Sequence, residues 1–155
     1  MILRIIAVGK LKEQYWKDAE AEYFKRLRPY AHIEVIELKE ESFNSMHEKD
    51  AVQKKEAEKI QALLKQGDKI FLLHETGTAY TSKEFAKELE HTAKRGEHIT
   101  FVIGGPLGLH PDFLEKFSHN ISLSPLTFPH QMVRTILAEQ LYRAVTIMQG
   151  KQYHY

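Results

Sequence analysis

Chemistry in this chain concentrates in three short runs and one terminus. In the run FVIGGPLGLHPD, Phe101 to Asp112, an apolar segment stops at Gly104 and Gly105, and Gly108 follows. Backbone without side chains has two uses: close approach of a bound molecule, or a tight strand-to-helix turn that needs positive φ at one glycine. The spacing G-G-x-x-G is not the G-x-G-x-x-G of dinucleotide sites, and no Lys-Ser/Thr follows it as in a P-loop. A flat, partly apolar ligand such as a nucleoside suits it better than a triphosphate. The second run, Leu123-Ser124-Pro125-Leu126-Thr127-Phe128-Pro129-His130, joins two prolines to two hydroxyls. Prolines stiffen the backbone and hold its N–H and C=O groups in a fixed arrangement. The same residues also read as a helix N-terminus, with Thr127 as cap and Pro129 in the first turn. The third run, Leu73 to Gly77, is another apolar segment ending near a glycine.

The carboxy-terminal region adds charge and rings. His130 and Arg134 share a helical face, whereas Arg134 and Arg143 fall on nearly opposite sides of the same helix. Tyr142, Tyr153 and His154 cluster in sequence with Arg143, a combination that suits stacking against an unpaired RNA base. The plainer alternative is that Gln152 to Tyr155 pack on their own domain and that Arg143 pairs with Glu139, one helical turn earlier. His32, His47, His91, His98, His110 and His119 show no ligand spacing, so no metal site is expected. No nucleophile elbow with a Ser-His-Asp pattern is present.

Composition bounds the rest. A chain of 155 residues, 43% hydrophobic and 28% charged, suits one domain spanning 1–155. A net charge of +1 argues against a protein held to nucleic acid mainly by bulk charge, but leaves room for an RNA enzyme that recognises a shaped site. With no cysteine, disulfides, thiolate metal sites and Cys nucleophiles are excluded. No apolar run approaches bilayer length, and MILRIIAVGK, with Arg4 inside it, reads as a strand rather than a signal peptide. A cytoplasmic protein with no membrane partner is expected.

The elements that must position these residues alternate. Strands are predicted at Ile2 to Val8, His32 to Leu38, Lys69 to Leu73, His98 to Ile103 and Asn120 to Leu123. Helices are predicted at Tyr15 to Leu27, Ala51 to Leu64, from Thr81 or Ser82 to Gly96, Pro111 to Phe117, and about Pro129 to Met148. Lys39 to Asp50 reads as a mobile loop, and His74 to Tyr80 as a loop. The pattern is α/β, with a mainly parallel sheet flanked by helices. Ligands of such sheets bind at the carboxyl ends of strands, where all three runs fall. The last helix carries Met132, Val133, Ile136, Leu137, Leu141, Ala144, Val145 and Met148, a stripe wide enough to be shared between the core and a second subunit.

Taken in order, several of these runs resemble the RlmH family of small SPOUT-class methyltransferases. The likeness is carried by Ala7-Val8-Gly9-Lys10, Leu73 with Gly77, Ile103 to Leu109, Leu123 to His130, Leu141-Tyr142-Arg143-Ala144 and Tyr153-His154. It implies an α/β sheet whose C-terminal part forms a trefoil knot, and a homodimer whose sites are each completed by the partner. It implies S-adenosylmethionine (SAM) as cofactor, bound at Leu73, Gly104, Gly105, Leu123, Ser124, Pro125, Leu126, Thr127 and Phe128. The implied reaction is methylation of N3 of a pseudouridine in 23S rRNA, on the assembled ribosome. Arg143 and His154 are the expected catalytic residues, and His130, Arg134, Tyr142 and Tyr153 the expected substrate contacts. The chain departs from the family at His74-Glu75-Thr76-Gly77-Thr78, where Asp-Glu-Arg-Gly-Lys is common, and at Gln152 and Tyr155, where a proline and a basic residue are common. The rival readings are a non-catalytic nucleotide- or RNA-binding module assisting ribosome assembly, and a SPOUT enzyme methylating a tRNA ribose.

Overall fold

The computed structural model describes residues 1–153. His154 and Tyr155 lie outside the described residues, so the expected role of His154 belongs to the sequence reading alone. Five strands form one wholly parallel sheet in the order β2-β1-β4-β3-β5, where β1 is Ile2–Val8, β2 His32–Leu38, β3 Lys69–Ala79, β4 Ile99–Ile103 and β5 Asn120–Ser122. Helices α1 (Gln14–Leu27), α2 (Lys49–Leu63), α3 (Ser82–Lys94), α4 (Pro111–Glu115) and α5 (His130–Met148) cover it.

Period-two alternation sorts the strand residues between two cores. Leu3, Ile5 and Ala7 of β1 join Phe71, Phe101 and Ile103 under α1, α3 and α5. Ile6 and Val8 point the other way and meet Leu72, Val102, Ile60 of α2 and Phe113 of α4. Both faces being covered, the inner strands are apolar almost throughout. Arg4 is the exception: buried at the amino end of the sheet, it donates to Glu34 at 2.9 Å and Asp68 at 2.8 Å, and Thr100 also donates to Asp68.

The expected elements are present, with four differences. First, β3 does not stop at Leu73. Its pairing with β5 breaks after Leu73 and resumes at Thr78, so residues 74–77 bulge out before the strand returns. The return runs so close to β5 that a Cβ on Gly77 would lie 2.6 Å from the Asn120 carbonyl carbon. Second, Lys39 to Asp50 is not a loop throughout. Met46–Glu48 form a 3-10 turn with a Ser45/Glu48 capping box, α2 begins at Lys49, and Glu41 is tied to Lys59 and to Glu56. Third, α4 ends at Glu115. Fourth, α5 begins at His130 with Pro129 as its cap residue, so Thr127 is not the cap and Pro129 is not inside the first turn. At α3 the expected cap is Thr81, whose hydroxyl accepts from the Glu84 N–H while Glu84 accepts from the Thr81 N–H.

Candidate functional site

The sheet order decides where the site lies. Strands β4, β3 and β5 are neighbours, so the three runs singled out in the sequence leave the sheet side by side at its carboxyl edge. Between them lies a cavity of about 680 Å³, within the range of small-molecule sites. Leu73 opens its wall from β3, and Gly104, Gly105 and Leu107 continue it from β4. Leu123, Ser124, Leu126, Thr127 and Phe128 close the opposite side. Every residue expected to hold a cofactor therefore lines this cavity except Pro125, which is exposed between two that do.

The loops are built stiff. A Cβ on Gly104 would meet the Gly108 carbonyl carbon and the Leu109 side chain at 3.1 Å, so glycine is required here by the loop's own folding. Gly108 takes φ +75°, the positive-φ turn that was one of the two uses open to this run. The bare backbone is thus explained by protein packing, and the cavity beside it is a consequence of how tightly the loop folds. In the second run the Ser124 hydroxyl accepts from the Leu126 N–H at 3.0 Å, a local turn that leaves Leu126 72% exposed at the rim.

His130 and Val133 of α5 extend the wall. His130 Nε2 is buried with no hydrogen-bond partner among the described residues. Burial, helped by Lys12 and Arg134 and opposed by Glu40, holds its pKa below the ordinary histidine value, so the neutral ring is favoured, and its Nε2 packs beside Gly9 rather than opening into the cavity. The bulge supplies His74, whose Nδ1 faces the Thr76 hydroxyl at 2.8 Å and accepts from the Thr76 N–H. That bond leaves the ring proton of the neutral form on Nε2. The other side belongs to α2 through Lys49 and Gln53, which sequence reasoning missed. Their only sequence signal is an i, i+4 spacing on a helix about fifty residues away from the loop they face.

Arg134 is placed elsewhere. Its residue is 4% exposed, and its guanidinium donates to both Glu20 oxygens at 2.8 and 2.7 Å and to Glu37 at 2.7 Å. It joins α5 to α1 and β2, and presents no face to an RNA phosphate.

Arg143, Tyr142 and Tyr153 form a second group at the far end of α5. Tyr153 packs edge-on to Tyr142 with ring centroids 4.8 Å apart, and Arg143 lies over the Tyr153 ring at 5.0 Å. Arg143 donates to Glu139 at 2.5 Å, and that bond raises its pKa above the usual arginine value. The tail as far as Tyr153 therefore packs on its own domain. Arg143 does not line the cavity; ten residues separate it from Val133, about 15 Å along the helix axis.

Among the described residues no three His, Asp or Glu side chains gather as a metal cluster, and no helix is long and apolar enough to cross a membrane.

A family model described as "Predicted SPOUT methyltransferase" matches residues 1–154. Among solved structures, a Legionella pneumophila chain described as a methyltransferase, Lpg2936, with bound SAM is similar at 9% identity and a TM-score of 0.47. That similarity covers 94% of this chain and 66% of that one, so this chain spans just under two thirds of its length.

Proposed function

The chain belongs to the SPOUT methyltransferase family, whose methyl donor is SAM, and from that premise we propose that it methylates N3 of a pseudouridine in 23S rRNA on the assembled ribosome. The observation that carries the reading is the cavity itself: one site, at the carboxyl edge of three adjacent strands, walled by the three runs that the resemblance singles out.

The residues present suit the cofactor. Leu73, Leu107 and Phe128 offer apolar walls to an adenine ring, and Ser124, Thr127 and His130 offer polar groups to a ribose and an amino-acid end. When bound, SAM supplies a sulfonium-activated methyl group that needs no covalent help from the protein. The chain's own tasks are to hold the acceptor nitrogen at near-attack distance and to manage its proton. The acceptor is an imide nitrogen, and its deprotonation spreads negative charge over two carbonyl oxygens. Arg143 stabilises that charge, His154 takes the proton or orients the base that does, and Tyr142 or Tyr153 stacks on the target base. His130 contacts the bound molecules from the cavity wall.

The separation of Arg143 from the cavity favours a homodimer in which the partner brings the carboxy-terminal group to each cavity. Met132 and Ile136 on the outer ridge of α5 belong to neither core cluster and are only half-buried, as a contact face requires. The trefoil knot belongs to the same proposal. The test is transfer of a labelled methyl group to ribosomes, separated subunits and free rRNA, with the modified base mapped by mass spectrometry. Label on a pseudouridine of the large subunit supports the reading; label only on tRNA, or none, overturns it.

A further inference from the structure

On the side of the cavity opposite α5, the buried polar face of α2 has no part in the sequence reading. Gln53 is 6% exposed and lines the cavity. Its Nε2 lies 2.7 Å from the Leu107 carbonyl oxygen and 3.4 Å from that of Leu109. Two carbonyls can be met only by the NH₂ end of an amide, so the orientation of this side chain is fixed by chemistry. Its Oε1 accepts a hydrogen bond from none of the described residues, yet it is not sealed from solvent-sized contact. One helical turn to either side, Asp50 bonds His110 at 2.9 Å, and Glu56 sits where a Cβ on Gly105 would meet its Oε2 at 3.3 Å. Gln53 thus holds the glycine loop from the same face of α2 that carries Asp50 to His110 and sets Glu56 beside Gly105.

We propose that Gln53 is a cofactor-binding residue: its amide nitrogen braces the glycine loop while its carbonyl oxygen accepts from an N–H of the bound donor. The proposal rests on the cavity being the SAM site. Two groups of such a molecule carry suitable protons, the exocyclic amine of adenine and the α-amino group of the amino-acid end. A carbonyl acceptor whose other end is anchored discriminates for an amine at that point and against a hydroxyl-free apolar group, because an unmatched buried acceptor is costly.

Calorimetry on the full chain separates the possibilities, with S-adenosylhomocysteine, which carries both amines, and 5′-methylthioadenosine, which carries only the adenine amine. Gln53→Leu should weaken S-adenosylhomocysteine about tenfold, the loss expected for one buried hydrogen bond. An equal loss with methylthioadenosine assigns the contact to the adenosine half, and no loss with it assigns the contact to the amino-acid end. Wild-type affinity of Gln53→Leu for both ligands overturns the inference while leaving the cofactor reading intact. A wild-type chain that binds neither ligand overturns both.

Gln53→Glu tests the bracing half of the proposal separately. Its carboxylate faces two carbonyl oxygens and cannot donate, so binding should be weak at pH 8. On protonation it can donate again, and affinity should recover toward pH 5. The ionisable groups around it are Lys49, Asp50 and Glu56 on its own helix, His110 at the end of the loop, and His74, Glu75 and His130 around the cavity. Wild type shares them all and supplies the reference profile. A pH profile of Gln53→Glu parallel to wild type overturns the bracing role.

Discussion

Replacing Arg134 by methionine should destabilise the fold more than any surface arginine change, and the size follows from its surroundings. The guanidinium makes a two-pronged bond to Glu20, whose side chain is only 10% exposed, and a third bond to Glu37, whose side chain is 34% exposed. With Arg134 gone, Glu37 can turn toward water, but Glu20 is left as a buried carboxylate with no counter-charge. Breaking a buried pair from one side costs about 3–5 kcal/mol. For a chain of this size, about 2–4 °C of melting temperature follows each kcal/mol, so Arg134→Met should melt roughly 10 °C below wild type. Arg134→Met combined with Glu20→Leu should recover most of that loss, because the stranded charge is removed with its partner. Thermal and urea unfolding at pH 7 measure both variants. If Arg134→Met melts within about 2 °C of wild type, or the double variant is worse than the single one, the buried-triad account is refuted. Loss of ribosome binding at unchanged stability would return Arg134 to the RNA surface that its sequence position suggested.

Three further outcomes test other parts of the structure. Gly77→Ala drives a methyl group to 2.6 Å from β5 backbone, so the bulge must reopen; stability should fall by about 2 kcal/mol or more, read by urea unfolding, and an unchanged midpoint would show that the return of β3 is looser than described. Arg143→Ala removes a partly exposed cation that lines no part of the cavity; SAM affinity by calorimetry should hold while methyl transfer to ribosomes is lost, and wild-type turnover would dismiss the assigned role. Glu56 has its pKa raised, chiefly by burial and further by Glu40 and Glu41, so the folded state holds its proton more tightly than the unfolded chain. Stability must then fall as pH rises from the unfolded carboxyl value through the folded one. Glu56→Gln should remove that fall, melting higher than wild type near pH 8 and no higher near pH 4; a pH-independent difference would mean that Glu56 does not titrate in this window.

Much of this molecule was legible in order along the chain. Ile2–Val8, apolar and β-branched, could only be an inner strand, and Thr81 with Glu84 announced the start of α3 through two local hydrogen bonds. Periodicity and capping are properties of neighbours in sequence, and sequence displays them directly. The bulge in β3 was hidden because nothing within residues 74–77 requires a strand to resume; that depends on pairing with Ile121 and Ser122. Arg134 misled for the same reason. A lone arginine on a helix reads as surface until Glu20 and Glu37, distant in the chain, are folded around it.

The candidate site divides along the same line. Sequence alone determined which runs would be bare, stiff and apolar: Gly104 to Gly108, Leu123 to Phe128, and the end of Leu73. Only the tertiary structure decided that these runs are adjacent, because adjacency comes from the order β4-β3-β5, a choice made by pairing of whole strands. It also decided that α2, through Gln53, closes the cavity, and that Arg143 stands apart from it. The physical reason is that turn chemistry acts over a few residues, whereas a cavity is the space left when distant segments have each satisfied their own packing and hydrogen bonds.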